Sequence, residues 1–357
     1  MPKKPSGAAL LNPNIKILIQ SKSLPPEAEA DFIEATVSED LEAPSMFALK
    51  FVTWDAVKQQ ITWVDGDLFE VGDEVEIQMG YRNDLKTVMV GEITGLEPMF
   101  SQDTPPMLVV RGHDLRHRLL RGRQTKSFTQ MKDSDIVSQI ARARGLTPKV
   151  TDSQVQLEYV LQHNQTDWEF LQERAKRIGY EVVVDNKTLY FRLHENTTQK
   201  IFTLTREDDL IEFLPRLSTM TQVQQVQVRG WLPKEKKEVI GKATVGQEGG
   251  TMAGSTSGAK AVQKAFGQSI HTAVSQPVSS QAEADRMALG QFQDMAIAYI
   301  TAEGTCQGLP DLRVGKVVEV TGVGKRFSGL YYVTATEHHY AKEQGYSTSF
   351  TVRRNAT

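Results

Sequence analysis

The feature that most constrains this chain is a change of periodicity between Val110 and Leu146. Before it, apolar and polar side chains alternate as in half-buried strands: Phe47, Leu49 and Phe51 on one face, then Val75, Ile77 and Met79. Within it, a strand closes at Gly112 and a basic run follows, Arg111, Arg116, Arg118, Arg121, Arg123 and Lys126 against the single acid Asp114. Ile136, Val137, Ile140 and Ala141 then recur at helical spacing, with Asp133 or Ser134 placed to cap the helix and Gly145 placed to end it in a left-handed conformation. Such a stretch is a hinge between two modules.

Around the hinge the pattern predicts a rolled antiparallel sheet. Segments at Lys16–Ile19, Phe32–Val37, Met46–Val52, Val75–Met79, Thr87–Ile93 and Met107–Arg111 are separated by Gly, Asn and Asp turns. After the hinge, Thr166 and Glu169 form a T-x-x-E capping box before Trp168, Leu171, Ala175 and Ile178, and Glu181–Phe191 reads as a hairpin turning at Asp185-Asn186-Lys187. This predicts an α/β insert. Strands resume at Ile201, through Phe202, Leu204 and Gln222–Val228. A Gly/Ser-rich stretch, Gly246–Gly258, reads as a flexible loop, and a helix capped by Ser280 and Glu283 follows it. Lys316–Val320, Leu330–Thr336 and Ser347–Arg353 close the chain as strands. Gly72–Ile77 matches Gly315–Val320 as G-x-x-V-E-[IV], with Val90 and Val333 each eighteen residues past the glycine. Either two ordinary hairpins coincide, or the chain holds two copies of one barrel.

Composition excludes several classes of function. The chain has 357 residues, 41 basic and 44 acidic side chains and a net charge of −3, so no global field draws it to nucleic acid or an anionic membrane. A single cysteine, Cys306, rules out an internal disulfide framework. Neither a signal-peptide pattern nor an apolar run of membrane-spanning length is present, so no membrane segment is expected. Gly241-Lys242, Gly315-Lys316 and Gly324-Lys325 lack the following Ser or Thr of a phosphate loop, and Gly254–Gly258 has Thr at the centre where a nucleophile elbow has Ser. His113 and His117 stand four apart but have no third ligand, and His338 and His339 point to opposite faces of a strand. No catalytic, metal-binding or cofactor-binding residue is assigned. The basic run lacks interleaved aromatics and therefore reads as a solvated face or a protein interface.

Several blocks, in this order and at these intervals, resemble the phage late-control protein D group, which includes contractile-tail hub proteins and the N-terminal hub half of VgrG spikes. They are Val110–Leu146 with its V-x-G-x-D start, Gln162–Gly179, Val226–Pro233, and Leu309–Gly315 running on to Tyr346-Ser347-Thr348 and Arg353. The resemblance implies an α+β, mainly β fold: two similar tube-type antiparallel β-barrel domains with an intervening α/β insert. The expected division is a flexible arm over 1–13, a first barrel over 14–118, an insert over 119–198, and a second barrel over 199–357 interrupted at about 245–300. It also implies a non-enzymatic homotrimeric baseplate hub adapting a threefold spike to a sixfold inner tube. The implied partners are further copies of itself, a separate spike protein, a hexameric tube protein and baseplate proteins, with no cofactor and no nucleic acid. Such a hub assembles in the bacterial cytoplasm and ends in a phage tail-like particle. The candidate interface residues are Arg116, Arg118, Arg121, Arg123, Trp168 and Phe170. A tail-associated cell-wall hydrolase and a nucleic-acid-binding module are the alternatives.

Overall fold

The computed structural model describes residues 12–194, 198–274 and 277–357. The arm expected over 1–13 falls outside them up to residue 11, and Pro13 already belongs to a strand. The first unit runs through β1 (Pro13–Ile19), β2 (Lys22–Ser23), α1 (Pro26–Asp31), β3 (Phe32–Asp40), β4 (Met46–Val52), β5 (Trp54–Asp55), β6 (Gln60–Ile61), β7 (Glu74–Tyr81), β8 (Asp84–Met99) and β9 (Met107–Asp114). Alternation decides which side chains go inside. Phe47, Leu49, Phe51, Val75, Ile77 and Met79 are fully buried in one core with Ile17 and Ile19, each contributing roughly 1.5–3 kcal/mol of burial.

A 3₁₀ turn at Leu115–Leu120 leads into the insert: β10 (Gln124–Lys132), α2 (Asp133–Ala143), β11 (Thr147–Val150), β12 (Gln156–Gln165), α3 (Asp167–Arg177), β13 (Tyr180–Asp185) and β14 (Thr188–Leu193). The capping box on α3 forms in both directions: Thr166 Oγ1 accepts from Glu169 N at 3.1 Å, and Glu169 accepts from Thr166 N at 3.0 Å. Gly145 is left-handed, as read from the sequence, and Gly179 beyond α3 is left-handed too. The start of α2 differs. Lys132 is its N-cap and Asp133 its first residue, with no side-chain cap. The Asp133 carboxylate instead takes Arg174 Nε of α3 at 2.6 Å, so it joins two helices while still complementing the helix dipole.

The second unit comprises β15 (Thr203–Thr205) and β16 (Leu210–Leu217), an excursion, and β20 (Ile300–Gln307), β21 (Val317–Thr321), β22 (Gly329–Ala341) and β23 (Gly345–Arg354). The excursion is a three-stranded sheet of β17 (Gln225–Leu232), β18 (Lys237–Thr244) and β19 (Ile270–Ala273) packed with α4 (Gly258–Phe266) and α5 (Gln281–Ile297). The strand read at Gln222–Val228 therefore belongs to the excursion and not to the barrel. Gly246–Gly258, expected to be a flexible loop, is pinned. Met252 is buried beside Val317, Leu330 and Tyr332, Glu248 accepts from Ser257 Oγ at 2.5 Å, and Asn355 Nδ2 donates to Gly250 O at 2.9 Å. Its Gly/Ser content conceals one apolar anchor and one buried acid.

The two units share one topology. Strand order is β3-β4-β9-β8-β7-β1 in the first and β16-β20-β23-β22-β21-β15 in the second, so strands of equal rank in the chain take equal places in the sheet. The glycine echo is structural. Gly72 N donates to Ile93 O (2.8 Å) and Ile93 N to Asp73 O (2.9 Å), just as Gly315 N donates to Val333 O (3.0 Å) and Val333 N to Lys316 O (2.9 Å). Val333 thus corresponds to Ile93 rather than to Val90, because the first hairpin is three residues longer. One residue further on, both strands bulge at a threonine, Thr94 and Thr334. β3 and β16 both bulge at an isoleucine, Ile33 and Ile211. One pairing differs: β1 runs antiparallel to β7, while β15 runs parallel to β21. The fold is α+β and mainly β, with two similar barrel-type units.

Antiparallel pairing of β22 with β3, from Ala335↔Asp40 to Ala341↔Glu34, merges both units into a 13-stranded sheet. The insert meets the excursion where Gly179 crosses α5 at Gly290. A Cβ on Gly290 would lie 2.5 Å from the Ile178 carbonyl carbon and 3.0 Å from Gly179 Cα, which explains a glycine in mid-helix that costs about 1 kcal/mol relative to alanine. Gly290→Val is expected to destabilise the chain by roughly 1–3 kcal/mol through overpacking, as read from the urea midpoint.

Candidate assembly site

Arg313, in the β20–β21 connection, reaches from the second unit into the first. Its Nε and Nη2 donate to the Glu39 carboxylate on β3 at 2.6 and 2.5 Å, and its Nη1 donates to Thr87 O on β8 at 3.1 Å. Thr336 on β22 adds a hydroxyl to Glu39 at 3.1 Å. Burial alone would raise the Glu39 carboxyl, but the guanidinium outweighs it and holds the group below its ordinary value. His338 on β22 is fully buried beside this pair. Burial drives its imidazole down to about 4, with Glu39 pulling it up and Arg313 pulling it back, so it is neutral at pH 7. Its Nδ1 lies 3.1 Å from the Thr348 hydroxyl and 2.8 Å from the Tyr346 hydroxyl. Arg313→Met is expected to cost about 3 kcal/mol in urea unfolding because it leaves a largely buried carboxylate unpaired, and adding Glu39→Gln should recover part of that loss.

A second cluster joins the insert to the second unit. Glu181 on β13 accepts from Arg192 Nε (2.9 Å) and the Tyr332 hydroxyl (2.6 Å) and lies 2.9 Å from His194 Nδ1. Burial favours neutral forms of both Glu181 and His194. Their mutual bond outweighs it, lowering Glu181 below 4.5 and raising His194 above 6.5. The His194 contribution is therefore whole below pH 6.5 and fades as pH rises through the folded-state value, while that of Glu181 is whole above 4.5 and fades as pH falls through its own. The thermal midpoint is expected to fall as pH rises above 6.5, and His194→Asn should flatten that decline in a pH series of melting curves.

The residues singled out in sequence are dispersed. Arg116 is 2% exposed; its Nε donates to Asp114 at 2.6 Å, its Nη1 to Asp40 O at 2.7 Å, and its Nη2 to the Ser45 hydroxyl. It lies 5.6 Å from the Trp168 ring centroid. Trp168 and Phe170 are buried in the insert core, so the contacts of all three lie within the chain. Arg118 pairs with Glu92, which also takes His117 at 2.7 Å, and Arg121 Nε donates to His117 Nδ1 at 3.2 Å. Arg123 is exposed and donates to Asn164 O at 2.6 Å and Glu169 at 2.8 Å. Local acids thus neutralise much of the basic run. His113 and His117 lie on a strand and a turn, not on one helical face, and His113 Nδ1 sits 2.8 Å from Thr94 Oγ1. Cys306 is fully buried, and burial pushes its thiol up to about 12, which makes it unreactive packing. Sequence reasoning missed Glu39, Arg313, Glu181 and His194. No local pattern links Glu39 to Arg313, which lies 274 residues away in the chain.

Among the described residues, two of the open strand edges lie in the 13-stranded sheet and carry exposed apolar side chains. The outer edge of β16 pairs with no strand among the described residues, and the half of β8 beyond Ile93 pairs only with β9. Apolar side chains stand in water along both: Ile211 is 68% and Leu214 57% exposed, and Met99 is 48% and Phe100 60% exposed. No helix among the described residues is long and apolar enough to cross a membrane.

Over most of its length the chain has the fold of phage tail proteins. It matches a 43 kDa tail protein of prophage MuSo2 from Shewanella oneidensis with a TM-score of 0.72 at 15% identity, covering 96% of this chain and 98% of that one. It matches a tail protein from Neisseria meningitidis MC58 with a TM-score of 0.67 at 14% identity, covering 96% of each chain. An E. coli component of the type VI secretion system, described as structurally similar to T4 bacteriophage tail proteins, matches with a TM-score of 0.61 at 14% identity, covering 96% of this chain and 77% of that one. No curated protein matches by sequence. The family model described as the Alg8 N-terminal domain matches residues 11–342.

Proposed function

The chain belongs to the family of the Alg8 N-terminal domain, and from its tail-protein fold and duplicated sheet we propose that it is the structural hub of a contractile injection particle. Three copies close into a ring whose six barrel-type units are quasi-equivalent. One end of such a ring mates with a sixfold inner tube of hexameric tube protein, and its threefold remainder seats a separate spike protein among baseplate proteins. The observation that carries this reading is the duplicated six-strand unit, with equal strand order and bulges at Thr94/Thr334 and Ile33/Ile211. A sequence that keeps two copies of one sheet, joined edge to edge, is suited to adapting one rotational order to twice that order.

In this reading residues 14–118 carry the first barrel, 119–198 the insert, and 199–357 the second barrel, interrupted by the excursion between Leu217 and Ile300. The role is mechanical and not enzymatic: sheath contraction drives tube, hub and spike outward together. Assembly takes place in the bacterial cytoplasm, and the product is part of a tail-like particle. Mass photometry of the full chain, alone and with its spike partner, is expected to show a species of three chains. Monomers or dimers under both conditions would overturn the proposal.

A further inference from the structure

The seam inside the chain specifies the seam between chains. Within the chain, β22 of the second unit pairs with β3 of the first. The shared topology makes β8 the counterpart of β22 and β16 the counterpart of β3, and each of these two has an unpaired edge among the described residues, β8 beyond Ile93 and β16 on its outer side. We propose that β8 of one copy lies antiparallel against β16 of the next copy, repeating the β22–β3 junction around the ring. This rests on the hub reading above and names the surface through which a second copy of this chain binds.

The shared bulges fix the register. Counting on from Thr94 and Thr334, Glu97, Pro98 and Met99 correspond to Glu337, His338 and His339. Counting on from Ile33 and Ile211, Leu214, Pro215 and Arg216 correspond to Thr36, Val37 and Ser38. The internal pairs Glu337↔Ser38, His338↔Val37 and His339↔Thr36 therefore become Glu97↔Arg216, Pro98↔Pro215 and Met99↔Leu214 between copies.

Side-chain chemistry fits each rung. Ser38 Oγ donates to Glu337 at 3.1 Å in the internal seam, and its counterpart would be an ion pair of two exposed side chains, Arg216 and Glu97, the latter already taking Arg111 Nε at 2.7 Å within the chain. Met99 and Leu214, both about half exposed in the single chain, would cover one another. The proline rung explains why these edges stay open until the right partner arrives. In the internal seam Lys342 N donates to Ile33 O and Leu41 N to Thr334 O, which puts His338 in the phase whose peptide groups point across the junction. Both counterparts lack an N–H, so this rung makes no backbone bond, and the prolines guard each edge against indiscriminate strand addition. The specificity of the junction then lies in Glu97–Arg216 and Met99–Leu214.

Met99 and Leu214 fall in the intermediate phase, where facing Cα atoms are about 4.5 Å apart, within disulfide range. Full-length Met99→Cys/Leu214→Cys, mildly oxidised where the wild type is trimeric, is expected to give covalent trimers on non-reducing gels, with neither single variant doing so. In parallel, Glu97→Arg should weaken trimerisation about tenfold and Glu97→Arg/Arg216→Glu should restore it. Circular dichroism of the dilute chain checks that each variant is folded. Trimers without cross-links, or charge reversals without effect, overturn the junction and leave the hub standing. A wild type that never forms trimers removes the hub reading and the junction with it.

Discussion

Pairing of β22 with β3 is the contact on which the remaining architecture depends, because it turns two barrel-type units into one sheet. Seven facing positions set the spacing, and the Arg313–Glu39 pair beneath them sets the angle. A largely buried ion pair is weak evidence for stability, since desolvation offsets much of the attraction. It is better evidence for geometry: a guanidinium that binds both oxygens of one carboxylate and a carbonyl on a third strand satisfies all three in a narrow range of orientations. A neutral His338 packed beside it adds no competing charge.

The insert and the excursion brace this sheet from outside it. Glu181 holds the insert to Tyr332 of β22, and Arg177 of α3 donates to Glu283 of α5 at 2.8 Å with both side chains buried. The close crossing of Gly179 and Gly290 lets those elements approach. Lys234–Glu158 joins the same two regions but is 79% and 59% exposed, so screening leaves it little to contribute.

The two units have diverged where their surroundings differ and kept what the fold requires. Glu76 and Glu319 occupy matching positions, and each accepts a threonine hydroxyl, from Thr87 at 2.6 Å and Thr203 at 2.8 Å. The glycines that open the matching hairpins both have positive φ, +102° and +78°, which a side chain would strain. One difference falls at the strand edges. Where the internal seam has His338 against Val37, the open edges carry Pro98 and Pro215, whose missing N–H groups leave no dangling donor in the free chain.

Local chemistry determined much of the chain by itself. Alternation at Phe47–Phe51 and Val75–Met79, the Thr166/Glu169 box, the turn at Asp185–Lys187 and the G-x-x-V-E echo were all legible, because strand faces, caps and turns depend on residues a few positions apart. Tertiary structure alone decided the rest. Glu39 and Arg313 are 274 residues apart and Glu181 and Tyr332 are 151 apart, so no local pattern announces either pair. Arg116 and Trp168, interface candidates in the sequence, are buried partners for a related reason: charge is visible in a sequence, whereas the ring that covers it is chosen by the fold. The corrected register of the repeat, Ile93 for Val90, has the same origin, because a hairpin can lengthen without changing the strand it returns to, and only the hydrogen bonds reveal which residues face each other.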